Sequence, residues 1–433
     1  MTDETTIVFF PEGAFGPTNN CVGIGNVLQA RGHRVVFVVE ESFAGTLEAK
    51  GFEEARMRLA PPPEVEEVPG QFWKDFIRDT APEFRKPTIE QLETFLRPTW
   101  QALIDGSMYV DERLRQIFDE LRPDAIVEDN VIAFGAIPAS GRPWARIVSC
   151  NPLEVKDPST IPPVFSGYAE TDADAWPAFW DSYDRLLGPQ IAGFDAWLTD
   201  HGAPPLPGPR DYMWESPFLN LYVYPDEADY ARGNPLAPTW HRLGASVRTG
   251  DEPYTDHERL GRDGRLVYLS LGSLGSADVE LMRRLVDVLG RTPHRYIVSM
   301  GPQHDSFELA DNMVGAEFLP QPSIVPLVDV VITHGGNNTV TESWSFGKPM
   351  IVLPLFWDQY DNAQRVHELG LGVRLPTYAF EDAELGDAID RFAGDEALAG
   401  RLHVMSERLR ADPGTERAAD LIEQLARTGE PVT

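Results

Sequence analysis

Cysteine is nearly absent: Cys21 and Cys150 are the two in 433 residues, and neither has metal-ligand spacing. That excludes a disulfide framework and a cysteine-based zinc site, and predicts free thiols in a reducing compartment, the cytoplasm. Lysine is scarce too, at positions 50, 74, 86, 156 and 348. With 37 Lys and Arg against 68 Asp and Glu, the net charge is −31. A surface of that sign repels phosphate backbones and anionic lipid, which excludes nucleic acid and membrane surfaces as partners. No apolar run approaches the ~18 residues of a membrane-spanning helix. The start, MTDETTIVFF, lacks the basic flank and apolar core of a secretory signal. Internal repeats are lacking as well.

What remains is the composition of a folded protein, 42% hydrophobic and 24% charged, in a chain longer than one core usually spans. Two domains are expected. Ile7–Phe10 reads as a buried strand, residues 11–20 as a Gly/Pro/Asn loop, residues 21–31 as a helix and Arg34–Val39 as a second strand. This is a β-α-β opening. Gly23 and Gly25 fall inside the helix, so they are not the turn of a dinucleotide fingerprint. His33 closes that helix near the favourable end of its dipole. Residues 71–121 and 171–198 have helical spacing and are rich in aromatics. Ala125–Val127, Trp144–Ser149 and Leu219–Tyr224 read as further strands, and the Pro-, Asp- and Ala-rich residues 225–238 as a linker. Beyond it, Leu266–Leu271 and Tyr296–Ser299 are strands, and residues 382–433 are helical. Asp172 and Asp174 sit at a helix start, where charge stabilisation accounts for them.

The densest signal is VITHGGNNTVTESWSFGKPMIVLPLFWDQYDN, residues 331–362. It reads as strand, glycine turn, helix, strand and polar loop. A glycine turn feeding a helix N-terminus at the carboxyl end of a parallel strand suits a phosphate: the backbone can approach closely, unpaired N–H groups point outward and the dipole favours negative charge. Trp357, Asp358 and Gln359 end the second strand at the same edge, with a carboxylate and an amide for sugar hydroxyls.

The order His-Gly-Gly-Asn-Asn-Thr, Glu342, Pro349, Asp358-Gln359 resembles the donor signature of the family 1 glycosyltransferases, which include the UDP-glucuronosyl and UDP-glucosyltransferases. It is most similar to their actinobacterial macrolide-glycosyltransferase branch. The resemblance implies an α/β GT-B architecture, two doubly wound Rossmann-like domains facing a central cleft. Residues 1–225 would bind acceptor, 226–238 link, 239–411 bind the nucleotide sugar, and 412–433 pack back on the first domain. By the same resemblance His334, Gly336, Asn337, Asn338 and Thr339 surround the diphosphate, together with a second turn at Gly272 and Ser273. Glu342 takes the ribose and Asp358-Gln359 the sugar. Phe318, with Gln321 in the Phe-Leu-Pro-Gln segment, stands where the family usually stacks a tryptophan on the base. The expected co-substrate is a UDP-sugar or dTDP-sugar, the reaction inverting and metal-independent, with no cofactor and no metal site. Phe15, Phe72, Phe76 and Trp180 are expected to line a pocket for a small apolar or aromatic acceptor, in a monomer or homodimer.

The family's usual base histidine falls on Pro17, although its aspartate partner matches Asp129. Asp129 itself, directly or through one water, with Asn19 or Asn20 orienting the acceptor hydroxyl, is the expected base, and Glu12 the competing carboxylate. The alternative is a catalytically silent accessory protein that binds donor alone; an epimerase on the same fold is a third reading.

Overall fold

The computed structural model describes residues 4–13, 15–62, 79–249 and 252–433. Alternating apolar residues build two parallel sheets. The first has seven strands: β1 (Thr6–Pro11), β2 (Arg34–Glu40), β3 (Glu53–Met57), β4 (Ala125–Asp129), β5 (Trp144–Val148), β6 (Leu219–Tyr222) and β7 (Trp240–Arg242). Their spatial order is 3-2-1-4-5-6-7. The second has β8 (Leu266–Ser270), β9 (Arg295–Ser299), β10 (Met313–Ala316), β11 (Val330–Thr333), β12 (Met350–Val352) and β13 (Gly372–Arg374), ordered 10-9-8-11-12-13. Every pairing is parallel, as the doubly wound reading requires.

Both faces of the first sheet are covered, which is why its strands read as continuous apolar runs. Ile7, Phe9, Phe37 and Val127 point into one core, closed by the Phe15–Ala30 helix and by Ala418, Ile422 and Leu425 of the final helix, Gly414–Thr428. Val8, Phe10, Val36, Val38 and Ile126 point into the other. The final helix is also tied by charge: Arg31 pairs with Glu416, Asp420 and Glu423, and buried His33 bonds Thr5 Oγ1 at 2.8 Å and Glu423 at 3.2 Å. His33 is therefore a structural bridge between the chain's two ends.

Several boundaries differ from the sequence reading. The first helix starts at Phe15, not near Cys21, because Pro17 sits in its first turn, where no N–H is needed. The second aromatic helix is Trp176–Asp200, and a π-turn at Leu92–Leu96 precedes the Arg97–Leu121 helix. The first sheet does not end with β6: β7 adds to it beyond the 226–238 segment, by pairing Asn220 with Trp240. The first sheet's strands thus reach to Arg242, past the boundary expected at 225.

In each sheet the strand order reverses beside the first strand, at β1/β4 and at β8/β11. Ligands of open α/β sheets bind outside the carboxyl ends at such a reversal. Pro11 lies beside Asp129 at the first, and Ser270 beside Thr333 at the second.

Candidate active site

At the second reversal two glycine turns face each other. Gly272 has φ +69° and Gly335 φ +92°, left-handed values that favour glycine. A Cβ on Gly272 would stand 2.8 Å from the His334 ring, and one on Gly336 2.7 Å. The imidazole is thus seated between two stretches of bare backbone. Burial pushes its pKa down to about 4, so it is neutral at pH 7 and its ring N–H can meet an anion without a prior proton. The Asn337–Ser345 helix starts here, with Gly336 as its N-cap and no side chain capping its first N–H groups. One turn further in, Gln321 Nε2 donates to Glu342 Oε2 at 2.5 Å and to Thr339 Oγ1 at 3.2 Å. Phe318 is 54% exposed, an open aromatic face just before Gln321. The structure therefore brings Gly272, Ser273, Gln321, His334, Gly336, Thr339 and Glu342 to one strand-end neighbourhood.

Asn337, Asn338, Asp358 and Gln359 belong to it differently, because their side chains already hold protein partners. Asn337 Nδ2 donates to Val223 O at 2.9 Å and Asn338 Nδ2 to Gly16 O at 2.8 Å, both across to the first domain. Asp358 accepts the Asn151 N–H at 2.8 Å, and Asn151 Nδ2 donates to Asn362 Oδ1 at 2.8 Å. Gln359 Oε1 takes the N–H groups of Leu355 and Phe356, so its amide nitrogen is what it can offer a ligand. Trp357, at φ +57°, packs 5.0 Å from Trp100 and 4.8 Å from Phe165. Its indole joins the two domains. Neighbouring Asp361 accepts the N–H groups of Phe165 and Gly167 at 2.6 and 2.8 Å.

At the first reversal the chemistry is carried by carboxylates. Asp129, buried at the end of β4, accepts Asn20 Nδ2 at 3.0 Å on Oδ2 and Ser149 Oγ at 2.8 Å on Oδ1. The Asn20 amide nitrogen therefore orients Asp129, while its Oδ1 has no hydrogen-bond partner. Burial still raises Asp129 to about pH 6, against those two bonds. Glu12 is half-buried beside it, its N–H on Asp129 O at 2.9 Å. Burial, then the charges of Asp129, Asp358 and Glu154, push Glu12 up to about 7. Asp358 is raised to about 7 as well, by burial and then by Glu154. Glu12, Pro17, Asp129, Ser149, Cys150 and Glu154 share a void of ≈10 Å³, room for one water-sized group. Pro17 stands on its wall, a ring that cannot accept a proton.

The aromatics expected to line an acceptor pocket fare differently from one another. Trp180 is 5% exposed, packed on Tyr183 and under Arg210 at 4.4 Å, so it belongs to the core because the Trp176–Asp200 helix turns that face inward. Phe15 begins the first helix, and Phe72 and Phe76 lie outside the described residues. Ser149, Asn151 and Glu154 were missed in the sequence. They follow β5, next to the reversal, and the strand-end rule alone could have pointed to them. A larger cavity of ≈570 Å³ lies elsewhere, between β6–β7 and residues 408–417, lined by Arg242, Arg408 and Asp412 among others. It holds none of the strand-end chemistry.

Comparison with known proteins agrees with this geometry. Residues 283–425 match the family model for the erythromycin biosynthesis protein CIII-like C-terminal domain. The chain is 27% identical to the oleandomycin glycosyltransferase of Streptomyces antibioticus, over 98% of this chain and 92% of that one. It is 24% identical to the demethyllactenocin mycarosyltransferase of Streptomyces fradiae, over 97% and 86%. Among solved structures, the kitacinnamycin glycosyltransferase superposes with a TM-score of 0.69 at 23% identity, covering 98% of this chain and 99% of that one. The glycosyltransferase VinC, in complex with dTDP, gives 0.65 at 16%, covering 97% and 99%. The chain is a glycosyltransferase of the GT-B fold, and the relatives it resembles include macrolide glycosyltransferases.

Proposed function

We propose that the protein transfers a hexose from a UDP- or dTDP-sugar to a hydroxyl of a small apolar or aromatic acceptor, inverting the anomeric centre and needing no divalent metal. The observation that carries this is the opposition of the two reversals: bare N–H groups and a neutral imidazole on one side, carboxylates with raised pKa on the other. The leaving diphosphate is anionic, and the 272 and 334–339 turns meet it with backbone N–H groups, a helix N-terminus and the His334 N–H. Glu342 and Gln321 suit the ribose, and Phe318 the base. Asp358 and the Gln359 amide suit the sugar, which has to displace the Asn151 N–H to reach the carboxylate.

Glu12 is the proton acceptor in this reading, because both oxygens of Asp129 are already hydrogen-bonded. As the acceptor oxygen bonds to the anomeric carbon, the bond from that carbon to the diphosphate oxygen breaks. The hydroxyl proton passes to Glu12 and the nucleoside diphosphate departs with the electron pair. A carboxylate near pH 7 is matched to this task at neutral pH. Nucleotide release measured across an acceptor panel, with and without EDTA, tests the reading. Anomeric coupling constants of the product report inversion. Turnover abolished by EDTA and restored by magnesium would refute metal independence, and a retained anomer would refute single displacement.

A further inference from the structure

The first reversal holds more negative charge than proton abstraction needs. Glu12, Asp129 and Glu154 all line the same small void, and Asp358 adds its field from the facing domain. The nearby cations include Arg146, on the void's wall, Lys156, whose Nζ is 3.8 Å from Glu154 Oε1 and 3.6 Å from Asp211, and Arg232, which donates to the carbonyls of Pro152 and Val155 on either side of Glu154. Glu154 Oε2 is different. It is buried in a residue only 5% exposed, and it has no hydrogen-bond partner. The short turn that carries it is pinned, since Asn151 Oδ1 accepts the Leu153 N–H at 2.9 Å and Arg232 donates to Pro152 O at 2.6 Å. A buried carboxylate oxygen held rigidly without a donor is costly unless a ligand supplies one.

We propose that this cavity recognises a protonated amine carried by the acceptor, with Glu154 Oε2 taking its N–H while Glu12 faces the reacting hydroxyl. This rests on the transferase reading above and narrows its acceptor class to amino alcohols and aminophenols. A primary ammonium is about the size of water and brings three donors and a positive charge to a group of carboxylates otherwise in mutual repulsion. A metal ion is the poorer match: among the described residues no three His, Cys, Asp or Glu side chains converge closely enough to hold one. The void is walled by first-domain residues, from Glu12 to Glu154, so the cation is assigned to the acceptor and not to the sugar.

The test uses the full chain, saturated with UDP or dTDP for binding and supplied with the UDP- or dTDP-sugar for transfer. Matched alcohol pairs that differ by one primary amine, tyramine against tyrosol and further aliphatic and aromatic pairs, are titrated calorimetrically and assayed for transfer. The expected result is at least tenfold tighter binding, or tenfold lower KM, for the amine member of one or more pairs. That advantage should shrink several-fold in Glu154→Gln, whose nucleotide affinity reports that it is folded. If that variant does not fold, the wild-type pairs decide alone. No amine in the panel outperforming its neutral partner would overturn the proposal while leaving the transferase reading intact. A preference for UDP-glucosamine over UDP-glucose without any acceptor preference would move the cation to the donor and overturn the assignment. Absence of nucleotide binding would instead sink the transferase reading on which the proposal rests.

Discussion

The two strand-order reversals are built alike and equipped oppositely. Each lies at the carboxyl end of paired parallel strands, β1/β4 in one domain and β8/β11 in the other. The second uses φ-positive glycines, a helix start and a histidine kept neutral by burial. The first uses Glu12 and Asp129, carboxylates that burial pushes toward neutrality. In the proposed reaction the difference follows from what each half would handle. A departing diphosphate arrives charged and has to be met by fixed dipoles, whereas an attacking hydroxyl arrives with a proton and has to be met by a titratable group.

That contrast can be broken most sharply at Glu12. Glu12→Gln should cut kcat by on the order of a hundredfold or more while leaving nucleotide affinity nearly unchanged. The wild-type rate should fall as pH drops through about 7, because the base is protonated below its pKa. In Asp129→Asn the same limb should move to lower pH, since one charge that raises Glu12 is gone. A hundredfold loss in Asp129→Asn with an unmoved limb would return the base role to Asp129.

On the other side, Gly272→Ala should weaken UDP or dTDP binding by roughly tenfold. It adds ~1–2 kcal/mol of left-handed backbone strain and drives a methyl against the His334 ring. Unaltered affinity by calorimetry would detach this turn from the diphosphate.

Stability should carry the same signature. Glu12, Asp129, Asp358 and Glu128, the last raised by burial to about 8, all bind protons more tightly when folded than unfolded. Between their unfolded values near 4 and folded values of about 6 to 8 the native state holds more protons, so stability falls as pH rises through that window. Tm should be higher at pH 5.5 than at pH 8, and Glu128→Gln should recover about 1 kcal/mol or more at pH 8. A Tm that climbs with pH would contradict this.

The smallest effect is expected far from either reversal. Arg31→Ala breaks the contacts with Glu416, Asp420 and Glu423 and should cost roughly 0.2–1 kcal/mol, shrinking with salt, as partly exposed pairs do.

The sequence was legible where burial was complete. The nine interior strands of both sheets read as apolar runs. The four that escaped, β3, β7, β10 and β13, are the four sheet edges. Glu53-Glu54-Ala55-Arg56-Met57 shows why: its burial is partial except at Met57, so its pattern is that of a loop. The turn and helix of the second reversal were legible for a related reason. They sit in consecutive residues, with glycines that only a special backbone explains. The first reversal is assembled from the ends of β1, β4 and β5, and Glu154 lines the same void as Glu12 while lying 142 positions away in the chain. No local pattern announces such a meeting. Trp180 failed in the opposite sense, since helical aromatics look the same whether they face a pocket or a core.

The final helix closes the core over Ile7, Phe9 and Cys21, so the first sheet is completed by some of the last residues of the chain. During synthesis the order of translation and the order of completion are therefore reversed. The amino-terminal half emerges first, yet it keeps an oily face bare until residues 418–425 have left the ribosome. Through that interval the apolar face is uncovered, and a premature stop anywhere in the second half would leave the first half open as well as the second unfinished.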